Sequence, residues 1–240
     1  MNKSFRQQLR RVVPFPLRRW LSAVRALRAP GDAFGRISAG GLHAAISLRA
    51  DARRWCHVRV GADSIVERGV NFHTNDDGDG PRILIGERCF LGQNCFLSAG
   101  ELIQIEQDCT IGASCNLLAA GHVYDRPTRT YASATVLSYG RMRLGPNAWI
   151  GVGSTLVGNI QVGFGCVVAA GSLLRIALPP LCLAAGHPAR IIKVFDWSLQ
   201  KWIRLPDDEP LRSDALAHHL ATLPAQAHYV SQLETRDDDE

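Results

Sequence analysis

One histidine in this sequence is a candidate for acid–base chemistry. His122 lies in the run LLAAGHVYD, where a regular six-residue pattern ends. An imidazole exchanges its proton near neutral pH, so a histidine that faces a groove can remove a proton from a reacting group. Asp125 follows closely and either orients the ring or pairs with Arg126 or Arg129. The next question is which local structure holds His122.

A repeat of six residues surrounds this histidine. From Leu144 the chain divides without remainder into LGPNAW, IGVGST, LVGNIQ, VGFGCV and VAAGSL, and each unit begins with Leu, Ile or Val. The same template fits VGADSI and VERGVN from Val60, IGERCF and LGQNCF from Ile85, and IEQDCT and IGASCN from Ile105. Six residues suit a short strand and a corner, so three units make one triangular coil. The repeat predicts an all-β solenoid, a parallel β-helix.

The fifth residue of most units is small, and it is often cysteine. Strand alternation directs the fifth residue and the next first residue inward, and the sixth residue outward. The seven cysteines include no CxxC pair, which disfavours a zinc site or a disulfide framework. We therefore expect the cysteines at fifth positions to be small buried side chains. They are Cys89, Cys95, Cys109, Cys115 and Cys166.

Three breaks in the period are predicted to leave the coil as surface segments. The first, TNDDGDGP at 74–81, resembles the start of a calcium loop, but Gly86 stands where a bidentate glutamate is needed, which favours a solvated turn. The second is a two-residue slip within 97–105. The third is a loop at 122–143, and His122, at a sixth position, is expected to face outward where this loop leaves.

The two ends of the chain carry opposite charge. Eight basic residues and no acidic residue precede Asp32, within a 240-residue chain of formal net charge +5 that ends in DDDE. Segment 1–50 is predicted to be a basic arm with an amphipathic helix, which covers one end of the solenoid or contacts an anionic membrane surface. No signal peptide or apolar run of about 20 residues is found, so a cytoplasmic location is expected, at the inner face of the membrane if the arm binds lipid.

The remaining chain is expected to divide into a β-helix at 51–194 and a helical extension at 195–240 with an acidic, disordered tail. Apolar residues at helical spacing from Phe195, in FDWSLQKWIRL, predict an amphipathic helix that covers the C-terminal end of the coil. A second helix is predicted over 211–223, where His218 and His219 are expected to face solvent or a partner.

The hexads resemble the left-handed parallel β-helix of the hexapeptide-repeat acyltransferases, which are typically homotrimers. Within that family the chain is most similar to the maltose, galactoside and Nod-factor O-acetyltransferases over about 55–195. The resemblance is carried by Asn94-Cys95, GHVYD from Gly121, GPNAWIG from Gly145 and GHPARII from Gly186. It implies transfer of an acetyl group from acetyl-CoA to a sugar hydroxyl, with no metal.

The resemblance also implies residue roles. His122 would be the general base, and Asn94 would orient the acceptor or the imidazole, or stabilise the oxyanion together with backbone N–H groups near Gly140. The coenzyme would lie along the coils after Trp149. The implied coenzyme-binding residues are Val152, Ala170, Arg175, Ile176, Arg190 and Lys193. The implied acceptor-binding residues are Asn94, Asp125, Ser138 and Tyr139.

Two departures from that branch bear on the substrates. Arg175-Ile176 replaces the usual Thr-Lys pair, which keeps one positive charge but moves it by one residue, so phosphate binding is still expected. Ser138 replaces the glutamate that usually precedes the Tyr-Gly pair. A free maltose, glucose or galactoside acceptor is therefore doubtful, and a larger glycan, a lipid-linked sugar or a nucleotide-sugar of surface polysaccharide or lipopolysaccharide synthesis fits better.

Several other functions stay open on the same fold. They are serine acetyltransferase, amino-sugar N-acetyltransferase and xenobiotic (chloramphenicol or streptogramin) acetyltransferase. A γ-class carbonic anhydrase needs three histidines on zinc, and His73, His122 and His187 are too far apart in the sequence to supply them convincingly. A trimeric scaffold without activity is the remaining class. A nucleic-acid partner is not expected.

Overall fold

The computed structural model describes residues 57–74, 80–128 and 130–233, which form five triangular coils and a C-terminal cap. The predicted N-terminal arm, the acidic stretch 75–79 of the calcium-like loop and the acidic tail lie outside the described residues. In the described part of the chain, no helix is long and apolar enough to cross a membrane.

Each coil contributes three short strands. Coil 1 has β1 (Val58–Val60), β2 (Ile65–Val66) and β3 (Asn71–Thr74), and coil 2 has β4 (Ile83–Ile85), β5 (Phe90–Leu91) and β6 (Phe96–Ala99). Coil 3 has β7 (Leu102–Ile105), β8 (Thr110–Ile111) and β9 (Asn116–Leu118), and is followed by β10 (Ala120–His122) and β11 (Val136–Ser138). Coil 4 has β12 (Arg141–Leu144), β13 (Trp149–Ile150) and β14 (Thr155–Val157). Coil 5 has β15 (Gln161–Val162), β16 (Val167–Val168) and β17 (Leu173–Leu174), and the cap has β18 (Cys182–Gly186), β19 (Ala189–Asp196), β20 (Lys201–Arg204), α1 (Glu209–Ala221) and α2 (Gln226–Ser231).

Strands of successive coils stack in parallel register to build three faces. Face A is β1-β4-β7-β12-β15, face B begins β2-β5-β8-β13-β16-β18, and face C is β3-β6-β9-β14-β17. The first residue of each hexad lies in a strand and points inward, as Ile105, Ile111 and Leu117 do in coil 3, all buried. The predicted parallel β-helix is therefore confirmed, whereas its left-handed sense stays a prediction.

The chain turns in one way at every A–B and B–C corner, because the fourth hexad residue has a positive φ there. Asparagine, aspartate and glycine are the residues that adopt this left-handed conformation most readily. These fourth residues are Asp63, Gly69, Arg88, Asn94, Asp108, Ser114, Asn147, Gly153, Gly165 and Gly171. The motif residue Asn94 thus has a structural reason to be asparagine, in addition to any chemical one.

The fifth hexad residue links each coil to the next by a hydrogen bond. The buried thiol of Cys109 donates to the carbonyl oxygen of Gly145 at 3.2 Å, and the hydroxyl of Ser64 donates to that of Gly86 at 2.8 Å. The prediction of buried fifth-position cysteines is confirmed. Burial raises the pKa of the Cys166 thiol to about 12, so at neutral pH this thiol keeps the proton that it donates to a backbone carbonyl.

All three breaks in the period fall at the C–A corner. The acidic loop follows β3 in coil 1, the two-residue slip follows β6 in coil 2, and the long insertion follows β9 in coil 3. The predicted limits 122–143 of that insertion need correction: it spans 120–140, because the backbone of Arg141–Leu144 already pairs with Leu102–Ile105 on face A.

The amphipathic helix predicted from Phe195 is wrong. This segment forms the antiparallel strands β19 and β20, which extend face B beyond β18. The free edge of β18 offers unpaired backbone N–H and C=O groups, and Phe195 packs edge-to-face on Trp202 at 5.4 Å between ring centroids. The periodicity at 195–203 was compatible with a helix, but the open sheet edge decides the conformation.

The helix predicted over 211–223 is confirmed as α1, and α2 follows it along the A–B corner. Within α1, His219 is buried, contrary to the expectation that it faces solvent, and its Nε2 lies 2.8 Å from the carbonyl oxygen of Pro180. From α2, the Tyr229 hydroxyl accepts a hydrogen bond from Asn147 Nδ2 at 2.6 Å. Helix α2 therefore packs along the A–B corner of the coils.

Close stacking of the coils predicts which glycines are indispensable. A Cβ atom at Gly112 would stand 2.6 Å from the backbone nitrogen of Val152 in the next coil, whereas one at Gly153 would have no atom within 4 Å. We expect Gly112→Ala to lower the free energy of unfolding by about 3 kcal/mol. The control Gly153→Ala should lower the free energy of unfolding by only about 1–2 kcal/mol, which is the cost of placing a side chain at a left-handed φ. Equal losses in chemical denaturation would contradict the stacking argument.

Candidate active site

The insertion at the C–A corner is an ordered two-stranded arm. Its strands β10 and β11 pair antiparallel, with His122 opposite Val136, and the N–H of Val123 extends the ladder by donating to the carbonyl of Thr135 at 3.0 Å. At its base, the N–H of Tyr139 donates to the carbonyl of Ala119 on the coil at 2.8 Å. The arm is thus anchored by backbone bonds, and it carries His122 beyond the last coil residue.

The two faces of the arm carry different side chains. Because side chains alternate along a strand and paired residues share a face, His122, Val136 and Ser138 lie on one face, and Gly121 and Tyr139 lie on the other. The Tyr139 hydroxyl occupies the space that a Cβ at position 121 would need, so only glycine fits below this ring. Of the predicted acceptor residues, Ser138 therefore shares the His122 face, and Tyr139 supports the arm from behind.

The His122 ring is exposed and held by one backbone contact. Its Nδ1 lies 3.3 Å from the carbonyl oxygen of Ala134. A carbonyl oxygen only accepts, so this contact requires the proton on Nδ1 and leaves the lone pair of Nε2 free. A neutral imidazole in this tautomer can accept a proton at Nε2. The partner carbonyl lies twelve residues away in sequence, and no sequence signal indicated it.

Asp125 does not supply this orienting contact. Its carboxylate lies 3.9 Å from Arg126 Nε, and both side chains are largely exposed. Such an exposed ion pair contributes little to stability. The alternative that Asp125 is a loop carboxylate paired with a neighbouring arginine fits this geometry better than an orienting role on the ring.

Other polar groups lie at the same C–A corner. The Ser138 hydroxyl accepts a hydrogen bond from the N–H of Gly140 at 3.1 Å. Asn159, in coil 4, places its side-chain amide against Gly140, so near that a Cβ there would stand 3.2 Å from Nδ2. Asn159 is exposed and was not among the predicted site residues, because it lies in the regular hexad LVGNIQ, which gives no sequence signal of a site. Arg175 and Ile176, both exposed, follow β17 at the same corner in coil 5.

The remaining predicted site residues lie elsewhere on the chain. Asn94 stands at the B–C corner of coil 2, and its side-chain oxygen lies against Gly69 of coil 1. Val152, Ala170 and Arg190 lie along or beside this same corner, in coils 4 and 5 and the cap. Face C separates the two corners by about five residues, on the order of 16 Å. One chain therefore does not bring Asn94 together with His122.

Lys193 and the other histidines also lie apart from His122. Lys193 pairs with Leu183 on face B. His73 lies on face C in coil 1, and His187 lies in the turn between β18 and β19. Among the residues that the structure describes, no three His, Cys, Asp or Glu side chains form a group that could hold a metal ion.

Comparison with known proteins begins with the repeat itself. The family model described as "Hexapeptide repeat of succinyl-transferase" matches residues 82–100 and 142–175. The matched segments contain regular hexads, and they leave out the arm that carries His122.

Curated relatives match over part of their length. A Saccharomyces cerevisiae protein, YJL218W, whose name provisionally assigns it to the acetyltransferases, is 29% identical over 114 residues, which is 48% of this chain and 57% of that protein. The serine acetyltransferase of Buchnera aphidicola is 47% identical over 47 residues, which is 20% of this chain and 18% of that enzyme. The chain thus spans about half of the first relative and a small part of the second.

Two solved structures share the fold. The hexapeptide-repeat acetyltransferase VCA0836 of Vibrio cholerae has a TM-score of 0.54 and 22% identity, covering 75% of this chain and 89% of that chain. A galactoside acetyltransferase in complex with coenzyme A has a TM-score of 0.53 and 21% identity, covering 75% of this chain and 80% of that chain. At these identities the likeness shows the fold alone.

His122 and His219, which contact backbone carbonyls through different ring nitrogens, should be opposite tautomers. We expect the neutral His122 ring to carry its proton on Nδ1, and the neutral His219 ring to carry it on Nε2, because these atoms face carbonyl oxygens. Nitrogen-15 chemical shifts of the two rings, recorded where imidazoles are neutral, distinguish protonated from unprotonated ring nitrogens. His219 is the internal control, and a proton on Nε2 of His122 would contradict the assigned orientation.

Proposed function

We propose that this chain, which has the hexapeptide-repeat β-helix fold of the acyltransferases, is an O-acetyltransferase that moves the acetyl group of acetyl-CoA to a saccharide hydroxyl. The observation that carries the proposal is the exposed His122 ring, with Nδ1 held by the Ala134 carbonyl and Nε2 free. It lies on an arm that leaves the coil where the repeat is interrupted.

In the proposed reaction, Nε2 of His122 removes the proton of the acceptor hydroxyl. A positioned base of this kind contributes on the order of 100- to 10,000-fold to the rate. Acetyl-CoA supplies a thioester carbonyl, which the acceptor oxygen attacks directly, and the imidazolium then returns its proton as the coenzyme thiol leaves. The Ala134 carbonyl holds the charged ring as well as the neutral one, because Nδ1 carries a proton in both states.

The residues proposed for the coenzyme have suitable chemistry. Val152 and Ala170 are exposed at the B–C corner, and small side chains let a pantetheine arm approach the backbone. Arg175 and Arg190 are exposed, and guanidinium groups bind phosphate through paired N–H groups. Lys193 adds a third positive charge on face B.

The positions of these groups support a site shared between chains. One half, with His122, Ser138, Arg175 and Ile176, lies at the C–A corner, and the other half, with Asn94, Val152, Ala170 and Arg190, lies at the B–C corner. A single extended coenzyme reaches both halves if the B–C corner of one chain meets the C–A corner of another. We propose a homotrimer, in which each pair of neighbours forms one site.

The outer side of face B supports self-association. Strand register places one outward residue of each strand in a column, and Trp149 in its centre is 55% exposed. Face A is charged instead, with ion pairs such as Arg141–Glu101 and Arg143–Glu106. An exposed apolar column is typical of an interface. Five of its six residues are apolar, namely Ile65, Phe90, Trp149, Val167 and Leu183, and Thr110 stands between Phe90 and Trp149.

For the acceptor we propose a glycan of surface polysaccharide or lipopolysaccharide synthesis. Ser138, on the His122 face of the arm, is a short uncharged hydroxyl, which leaves more room than the glutamate of the related sugar enzymes. The basic N-terminal segment would suit work at the cytoplasmic face of a membrane. L-Serine is the second candidate acceptor, because 47 residues of this chain are 47% identical to part of a serine acetyltransferase.

Removal of the base should abolish transfer without unfolding the coil. His122→Ala and His122→Gln should lower acceptor-dependent release of CoA thiol by about 100- to 10,000-fold, with unchanged circular dichroism and assembly. His218→Gln, at an exposed histidine of α1, is the control. The acceptor panel contains methyl glycosides, oligosaccharides, UDP-sugars, chloramphenicol and L-serine. Full activity of His122→Ala would disprove the mechanism, and acetylation of serine or the antibiotic alone would disprove the glycan assignment.

The apolar column predicts how the assembly can be broken. Trp149→Glu places a charge in its centre and should convert the trimer into monomers in sedimentation velocity, with loss of transfer because each site needs two chains. Gln104→Glu introduces the same residue on the outer side of face A and should leave the trimer intact. A wild-type monomer at micromolar concentration, or a trimeric Trp149→Glu, would refute this interface.

A further inference from the structure

Tyr124 follows His122 on the arm and shares its face. The hydrogen bond from Val123 to Thr135 continues the antiparallel ladder one residue beyond β10. In that register Tyr124 stands opposite Ala134, and residues two apart on a strand project to the same side. The Cα atoms of His122 and Tyr124 are therefore about 6–7 Å apart, with both side chains on one face of the arm.

The surroundings leave the Tyr124 ring open. Its side chain is 75% exposed, which is the largest exposure among the big hydrophobic residues of the described chain. Its cross-strand neighbour Ala134 is small and covers little of the ring. Val136, opposite His122, is also partly exposed, so the surface beside the catalytic ring is apolar at its edge and polar at Ser138.

We propose that Tyr124 is the acceptor platform of this enzyme, and that it selects a pyranose ring. A tyrosine ring offers a flat apolar face for the C–H side of a sugar, and its hydroxyl can bond to a sugar hydroxyl. A pyranose stacked on Tyr124 presents a ring hydroxyl to Nε2 of His122. This inference rests on the proposed function, and it favours a sugar over L-serine, because serine has no ring to stack.

Tyr131 provides a matched control on the same arm. It begins the short 3₁₀ turn Tyr131–Ser133, and its side chain is 54% exposed. It lies outside the ladder that aligns Tyr124 with His122. Both tyrosines are thus exposed residues of the same arm, but only Tyr124 is aligned with His122 by the strand ladder.

The test compares variants on the saccharide that releases CoA thiol fastest in the acceptor panel. Tyr124→Ala should raise the acceptor KM, and lower kcat/KM for that saccharide, by roughly 3- to 10-fold, as expected for one lost aromatic contact. The KM for acetyl-CoA and the slow hydrolysis of acetyl-CoA without acceptor should not change. Tyr124→Trp should retain activity, whereas Tyr124→Leu, which keeps apolar bulk without a flat ring, should resemble Tyr124→Ala.

The outcomes separate this inference from the function on which it rests. If the wild type acetylates a saccharide but Tyr124→Ala leaves the acceptor KM unchanged, or Tyr124→Leu retains the wild-type acceptor KM, or Tyr131→Ala raises it as much as Tyr124→Ala, the platform is wrong and the enzyme assignment stands. If the wild type acetylates only L-serine or no acceptor, the proposed glycan function fails and the platform fails with it. A loss of acceptor-independent hydrolysis in Tyr124→Ala would show damage to the arm. In that case the acceptor KM of Tyr124→Trp decides: a wild-type value supports the platform, and a raised value contradicts it.

Discussion

The parallel backbone ladder between successive coils is the constraint on which the rest of this structure depends. It holds each coil one strand spacing, about 4.8 Å, from the next. At that distance the backbone of Val152 occupies the space of a side chain at Gly112. It also brings the Cys109 thiol to the Gly145 carbonyl. The glycine and cysteine of the hexad are thus consequences of stacking, and none of the fifth-position cysteines is needed for chemistry.

The same constraint explains where the candidate site lies on the coil. Two corners of every coil use one tight turn with a left-handed fourth residue, and such a turn accepts no insertion without loss of register. The C–A corner does not require this tight turn, and the acidic loop, the two-residue shift in the repeat and the arm all occur there. His122 leaves the solenoid at this corner, on an arm whose two strands pair antiparallel.

Much of the fold was predictable because the repeat is local and frequent. Hexads from Val60 to Leu173 predicted the coils, the inward positions and the buried cysteines. The motif at Asn94 was less informative, because a left-handed corner and a catalytic amide both favour asparagine. The segment at Phe195 misled in another way: its apolar spacing fitted a helix, but the open edge of β18 determined a hairpin. A free sheet edge exists only in the assembled coil, so a short stretch of sequence cannot predict which segment will pair with it.

The sequence by itself determined the solenoid, the exit of the chain near His122 and a set of residues suited to acetyl transfer. Only the tertiary structure decided how those residues are distributed. It assigned the Ala134 carbonyl to Nδ1 of His122, sorted Ser138 and Tyr139 onto opposite faces of the arm, and placed Asn94 and His122 at different corners. The physical reason is that the six-residue spacing indicates which coil a residue belongs to. Its corner and its face depend on where the insertions leave the coil and on how their strands pair.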